Sequence, residues 1–430
     1  MTYKETIQQI YDLQEFAIKL GLENISALAN RLGNPHLKYP VIHIAGTNGK
    51  GSTAFFIHQL LQHHGLKSGL FTSPHLTDYR ERIRVGDELI SPYYVIDFWR
   101  HNKDYILKRK ATFFDTTTAL AFQYFADQKV DVAVIETGLG GRLDSTNIVQ
   151  PEIVVLTPVD FDHQKQLGNT LSSIAREKAG IIKPGATVFC APQPPDVLNV
   201  FLKHVENLRK FRYLPDLIKI KPGHSSLDGQ NLKIYFISEQ QEMDFKSLQC
   251  GHFQAQNQAL ALLVVNDFLR KKQLNWDPQA IQQVFSTRLW PGRLQTVHLK
   301  PRIIFDVSHN LAGIKGTLEF VKKNIAENKI YLLIGLLEYK DYKNIVTFLS
   351  KQNLNIYLTE PKTEKKLPAV KLKTAFKQLN KETSLLPDPV KAVKLLKTQL
   401  TDDELLIVMG SHYLIGYLMN QLKTDLDLKL

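Results

Sequence analysis

Cysteine is nearly absent from the chain: Cys190 and Cys250 are the only two in 430 residues. Each follows an apolar, strand-like stretch, and neither has a C-x-x-C partner. This excludes a disulfide framework and a cysteine-built zinc site, and leaves reduced core thiols in the cytosol as the expectation. Long apolar runs are also missing. None approaches the roughly 18 residues needed to cross a membrane, and the charged start "MTYKETIQQIYDLQEF" does not read as a signal peptide. A cytoplasmic protein without membrane contact is expected. No repeat of fixed period stands out. The net charge of +12 is a mild excess. The lysines of "KTEKKLPAVKLKTAFKQLNK" fall on several faces without interleaved aromatics, which reads as a solvated surface rather than a nucleic-acid patch. Small polyanions such as nucleotides suit such a charge better.

The sequence does contain a series of apolar runs, each closed by a small polar cluster. They are "VIHIAGTNGKGS", "SGLFTSPH", "VDVAVIETGLGG", "PEIVVLTPVDFDH", "PRIIFDVSHN", "KIYLLIGLLEYKD" and "DELLIVMGSHYL". Most are followed by a helical pattern, so parallel strands with crossover helices are expected, and ligands in such sheets bind outside the carboxyl ends of the strands. The clusters Lys50/Ser52, Ser73/His75, Glu136, Asp162/His163, Asp306/His309 and Lys340/Asp341 all fall at those ends. The chain exceeds the roughly 100 to 200 residues of one domain, so two domains are expected. The first is an N-terminal P-loop-type, mostly parallel α/β sheet domain over 1–292, with a small antiparallel side sheet from "LKIYFISEQQEMDFKSL". A linker follows at 293–300, after Pro291-Gly292, and then a smaller C-terminal Rossmann-like α/β domain over 301–430.

The stretch Ile44 to Ser52, "IAGTNGKGS", carries the most specific chemistry. It departs from G-x-x-x-x-G-K-[ST], because Ile44 stands at the first glycine position and Gly51 follows the lysine. The order strand, glycine loop, helix is nevertheless what a phosphate site needs. Glycines let backbone N–H groups turn toward an anion, and the helix N-terminus adds partial positive charge. Lys50 would reach the outer phosphates and Ser52 a magnesium ion. A glycine-rich turn before a core helix is the plain alternative.

Together with "ETGLGGRLDSTN" and "DFDH", this loop resembles the folylpolyglutamate synthase and dihydrofolate synthase family of the Mur ligase superfamily. The resemblance runs in order through "FTSPHL", "RERIRV", "EKAGIIKPG", "WPGR", the D-x-x-H-N of "DVSHN" and "GSHYL". It implies an ATP-dependent ligase that phosphorylates a carboxylate and joins L-glutamate to it, the acceptor being a folate, with dihydropteroate as a second acceptor. Phosphoryl transfer asks for positioning and charge neutralisation rather than a protein nucleophile, and no nucleophilic triad is seen.

Several roles follow from the resemblance alone. Thr47, Asn48, Gly49, Lys50, Gly51 and Ser52 would hold ATP, with Asn257, Arg293, Asp306 and His309. Ser52, Ser73, Glu136 and His163 would hold magnesium, with Lys178 carbamylated into a carboxylate-like ligand and a monovalent cation as a second ion. Lys50, Lys178 and His163 would form the catalytic set. Ser73, Pro74, His75 and Arg82 would line the folate side, with Arg80, Arg82 and Arg84 alternating as on an exposed strand. A monomer is implied. By residue type alone, Lys178 is a helix-surface lysine beside Glu177, and His163 a strand-end hydrogen-bonding residue.

The second half departs from the family pattern. Val307 stands where the family's D-G-A-H-N-P has glycine, so a positive φ there would strain it. Ser308, Leu311 and His412 also differ. Two rival readings follow: a cell-wall ligase, disfavoured because only residues 1–43 precede the loop where a UDP-sugar domain would stand, and a catalytically weakened folate- or nucleotide-binding relative.

Overall fold

The computed structural model describes residues 1–13, 21–221 and 223–426. It divides into two compact units. The first holds residues 1–219, 234–242 and 256–284, and the second 220–233, 243–255 and 285–430.

The first unit is built on an eight-stranded sheet. Its strands are β1 (Val41–Ala45), β2 (Ser68–Phe71), β3 (Ile83–Val85), β4 (Glu88–Leu89), β5 (Val132–Glu136), β6 (Ile153–Leu156), β7 (Thr187–Cys190) and β8 (Phe211–Tyr213). The order is β4-β3-β2-β5-β1-β6-β7-β8, with parallel pairing from β2 through β8 and antiparallel pairing only at β2/β3 and β3/β4. Every residue of β1, β2, β5, β6 and β7 is buried. That is why these strands read as unbroken apolar runs: a parallel sheet covered by helices has no wet face on which to alternate. Among the described residues, apolar clusters fill the unit. One gathers Trp99, Phe122, Phe125 and Phe71, another Ile174, Val197, Phe201 and Val188. Each large side chain so buried contributes about 1.5–3 kcal/mol.

A four-stranded side sheet follows, from β9 (Ile218–Lys221), β10 (Ser225–Ser226), β11 (Gly229–Phe236) and β12 (Gln241–Ser247). Gln230, Leu232, Ile234 and Phe236 alternate as the buried residues of β11, the signature of a half-covered antiparallel strand. Expected as an appendage of the first domain, this sheet places most of its residues in the second unit.

The second unit carries a six-stranded sheet of β13 (Gln295–Leu299), β14 (Arg302–Asp306), β15 (Ile330–Ile334), β16 (Asn355–Leu358), β17 (Ser384–Leu385) and β18 (Leu405–Met409). The order is β13-β14-β18-β15-β16-β17, parallel except for β13 against β14. The stretch 293–300 expected as a linker thus contains the edge strand β13. Ile304, Leu332, Ile407, Met409 and Phe376 form the core of this unit.

Candidate functional site

Strand order gathers the site. β2, β5, β1 and β6 are consecutive and parallel, in register at Phe71↔Ile135, Ile44↔Glu136 and Ala45↔Leu156. Their carboxyl ends therefore lie on one edge. Ser73 follows β2, Glu136 ends β5, the glycine loop follows β1, and Asp160 to His163 follow β6. Four clusters scattered between Gly46 and His163 become neighbours because of topology, as in other open parallel sheets.

The loop is held from below. The Thr47 and Asn48 N–H groups both donate to Pro158 O, at 2.9 and 3.2 Å. Thr47 Oγ1 donates to Asp160 O at 3.0 Å and accepts from Asp160 N at 3.1 Å. Gly49, at φ 88°, caps the buried helix Lys50–His63. A Cβ on Gly49 would lie 2.4 Å from Asn257 Oδ1, and one on Gly46 1.8 Å from Thr157 Oγ1. These glycines therefore let the loop lie flat against its neighbours, while Thr47 and Asn48 fasten it. The main-chain donors for an anion are the first-turn N–H groups of the helix, which have no intrahelical acceptor. Lys50 Nζ donates to Thr47 O at 3.3 Å and lies 3.9 Å from Glu136 Oε1.

Lys178 is not on a helix surface. It is 4 % exposed, and its Nζ donates to Gly46 O at 2.7 Å, from the helix Leu171–Ala179 onto the glycine loop. Burial, reinforced by the charge of Lys50, lowers its pKa to about 7 against the opposing pull of Asp162 and Asp144. Its neighbour Glu177 faces outward to Arg142 at 2.9 Å. Asp144, within the motif "ETGLGGRLDSTN", lies close enough to Lys178 to act on its charge. It is buried and accepts from Leu139 N at 2.7 Å, Thr146 N at 3.0 Å and Thr146 Oγ1 at 2.5 Å. Burial raises its pKa despite these bonds. Behind Thr146 sits His43 of β1, wholly buried, with Nε2 2.8 Å from Thr146 Oγ1 and Nδ1 without a hydrogen-bond partner.

Glu136 is 4 % exposed. Its Oε2 accepts from Ser73 N at 3.1 Å, which ties the β2 corner to β5. His163 sits in the left-handed region, at φ 50°, before the short helix Gln164–Leu167, with Nε2 3.9 Å from Asp162 Oδ1. Among the described residues no three His, Cys, Asp or Glu side chains converge as a metal site. Donor chemistry alone supports the expected magnesium residues. Ser52, Ser73 and Glu136 offer the oxygen donors that magnesium prefers, Glu136 turns Oε1 toward Lys50, and Lys178 would add oxygen only as a carbamate.

The corner after β2 differs from the expected exposed strand. Tyr79–Arg82 is a short 3-10 helix capped by Asp78, with Glu81 closing a capping box, so Arg80 and Arg82 precede β3 and only Arg84 lies in it. Glu81 binds Leu76 N, Thr77 N and Asp78 N rather than an arginine. Arg80 pairs with Asp78 at 2.7 Å. Arg82 is buried, donates from Nε to His75 Nδ1 at 2.8 Å, and lies over the Phe113 ring at 5.2 Å. Burial, then Arg82, lowers the His75 pKa to about 3, so its ring is neutral.

Comparison with known proteins completes the assignment. Residues 44–265 match the Mur ligase middle domain and residues 292–412 the Mur ligase glutamate ligase domain. The chain is 33% identical over 429 residues to the dihydrofolate synthase/folylpolyglutamate synthase of Bacillus subtilis, covering 98% of this chain and 99% of that one. It belongs to the folylpolyglutamate synthase and dihydrofolate synthase family of Mur ligases. Among solved structures, Mycobacterium tuberculosis folylpolyglutamate synthase complexed with ADP superposes with a TM-score of 0.87 at 27% identity, over 99% of this chain and 100% of that one. A folylpolyglutamate synthase complex with AMPPCP and folate gives 0.85 at 29% identity, over 98% and 100%.

In the second unit the family's D-x-x-H-N segment follows β14. Asp306 is buried and accepts from Leu294 N and Ser308 N, each at 2.9 Å, and from Thr317 Oγ1 at 3.3 Å. It thereby fixes the turn that carries His309 and, through Leu294, the chain next to Arg293. Val307 is not among the residues of positive φ. Its N–H donates to Gly292 O at 2.8 Å, so the side chain that replaces glycine is buried without backbone strain. His309 Nδ1–H donates to Val307 O at 3.0 Å, and its ring lies 5.4 Å from that of His412. Lys340 is buried, and Asp341 caps the helix Tyr342–Ser350.

Proposed function

We propose that the protein is an ATP-dependent ligase that adds L-glutamate to the terminal carboxylate of a reduced folate and, in the same site, to dihydropteroate. The observation that carries this reading is the buried contact of Lys178 with the glycine loop, beside Lys50 and Glu136, in a chain of this family. A phosphate loop alone serves many reactions; one with a second lysine buried on it, able to become a carboxylate-like donor, suits a ligase.

In this reading the terminal phosphoryl group passes from ATP to the acceptor carboxylate, giving an acyl phosphate and ADP. The amine of L-glutamate then attacks the acyl carbon and phosphate leaves. The first-turn N–H groups and Lys50 hold the phosphates, and their charge offsets what builds up on the transferring oxygens. Asn257 stands over Gly49 in the first unit, and the resemblance adds Asp306 and His309 as nucleotide-binding residues. Ser52, Ser73, Glu136, His163 and a Lys178 carbamate would hold magnesium, whose chemistry would be neutralisation of phosphate charge. Lys178 keeps one N–H for Gly46 O after carbamylation, so the modification does not require the loop to let go. ADP release measured with L-glutamate and each acceptor tests the proposal. Release dependent on both glutamate and a folate or dihydropteroate is expected. Release that appears only with a UDP-sugar peptide overturns it.

A further inference from the structure

The first helix, Tyr3–Asp12, is fastened across the corner 73–82 at two points about two helical turns apart. Near its start Tyr3 Oη donates to Asp78 Oδ1 at 3.1 Å. Near its end Tyr11 Oη lies 3.1 Å from His75 Nε2. The Tyr11 ring stacks on Phe113, with centroids 5.7 Å apart and planes at 24°, and meets the edge of Tyr79 at 6.3 Å.

The polarity of the His75 bonds follows from Arg82. A guanidinium only donates, so His75 Nδ1 is the acceptor of the 2.8 Å bond. A neutral, half-buried imidazole that accepts at Nδ1 carries its hydrogen on Nε2 and donates it to Tyr11 Oη. The imidazole is thus clamped on both sides, between a cation resting on Phe113 and a phenol stacked on that same ring. Two residues earlier, Ser73 N is bound to Glu136. The short segment 73–75 therefore links the carboxylate at the end of β5 to the helix at the start of the chain.

We propose that Tyr11 is a positioning residue for the acceptor: by accepting from His75 Nε2–H it fixes the imidazole and the Ser73–His75 corner against which a flat heteroaromatic acceptor ring lies. This rests on the proposed function and deepens it. Arg80 is paired with Asp78, while Arg82 keeps its charge and is held in place by His75 and the Phe113 ring, so the clamp is a fixed aromatic surface with one guanidinium at its side.

The test is steady-state kinetics of the full-length Tyr11→Phe variant, which removes one hydroxyl and keeps the stacking ring. The acceptor KM should rise about three- to tenfold, the worth of one hydrogen bond, with the ATP KM and melting temperature unchanged. An unchanged acceptor KM, or ATP and acceptor KM rising together, overturns the proposal. Tyr3→Phe removes the other fastening and should leave the acceptor KM alone; an equal rise there shows mere anchoring of the helix and overturns it too. If Tyr11→Phe folds poorly, His75→Gln cuts the same bond from its other side and must raise the acceptor KM, with no further rise in the double variant. Additive effects sink the idea. The unmodified protein is assayed first: no acceptor-dependent ADP with a folate or dihydropteroate is a failure of the proposed function, whereas normal activity with an indifferent Tyr11→Phe is a failure of this inference alone.

Discussion

Lys178 shows how burial prepares a residue for chemistry that its type does not suggest. Carbon dioxide reacts only with a neutral amine, and an ordinary lysine is neutral about once in 2,500 at pH 7. Burial and the charge of Lys50 lower the Lys178 pKa to about 7, so its neutral fraction at that pH is far larger than for an ordinary lysine. Lys178→Ala should lower ADP formation about 100-fold or more, and added acetate should restore part of it. Full activity of this variant, or unmodified lysine in active enzyme by mass measurement under non-acidic conditions, counts against the carbamate. Glu136 is the second test at this scale. It faces Lys50 and holds Ser73 N, so Glu136→Ala removes the charge offsetting that lysine and, in the proposed function, a metal. Turnover should fall about 100-fold or more while the far-ultraviolet circular dichroism stays unchanged; a folded variant with near-normal turnover overturns the assignment. These two residues were unequally visible in the sequence. Glu136 closes an apolar run, and a carboxylate there invites a question. Lys178 sits on a helix whose one other basic residue, Arg176, is exposed, and only the family resemblance marked it. Tyr11 carried no signal, because its partner His75 is 64 residues away.

Among the elements, the glycine loop and its helix are the most exacting. Gly49 has φ 88° and leaves room for Asn257. Gly49→Ala places a Cβ both in a disfavoured backbone region and against a side-chain oxygen, at a cost of about 1–3 kcal/mol. The ATP KM should rise at least tenfold while the acceptor KM stays near its original value, and equilibrium ATP-analogue binding measures it. An unchanged ATP affinity would show that the loop is not the phosphate grip. The parallel strands were legible because full burial writes itself as uninterrupted Val, Ile and Leu. The alternation of Arg80, Arg82 and Arg84 misled for the opposite reason. Asp78 and Glu81 form a capping box that starts a 3-10 helix, and that local signal outweighed an apparent period of two. The linker at 293–300 was read from Pro291-Gly292, yet β13 begins directly after the turn, since an antiparallel edge strand leaves only a weak apolar pattern.

For the molecule as a whole, pH sets a limit on stability through two histidines the fold keeps neutral. Burial lowers His43 and His75 to about 3, from an ordinary value near 6.5. Between those values the unfolded chain binds protons that the folded chain does not, so stability falls as pH drops through this window. Each histidine should cost about 2 kcal/mol between pH 7 and pH 5. Denaturant unfolding at the two pH values checks this, and His43→Gln should flatten the slope; an unchanged slope would show that His43 is protonated in the folded state. Fold class and the order of the strand-end clusters could be read from the sequence, because local patterns encode them. The hydrogen bonds among those clusters could not, because they join segments that only the sheet makes adjacent. In the proposed function the sheet also divides labour between separate loops: phosphate handling would follow β1, the carboxylate Glu136 ends β5, and acceptor contacts would follow β2. Each loop hangs on its own strand, so one can be exchanged while the others keep their geometry. Transplanting the β2 corner together with the helix that clasps it should retarget such a ligase to a new acceptor without rebuilding its engine for spending ATP.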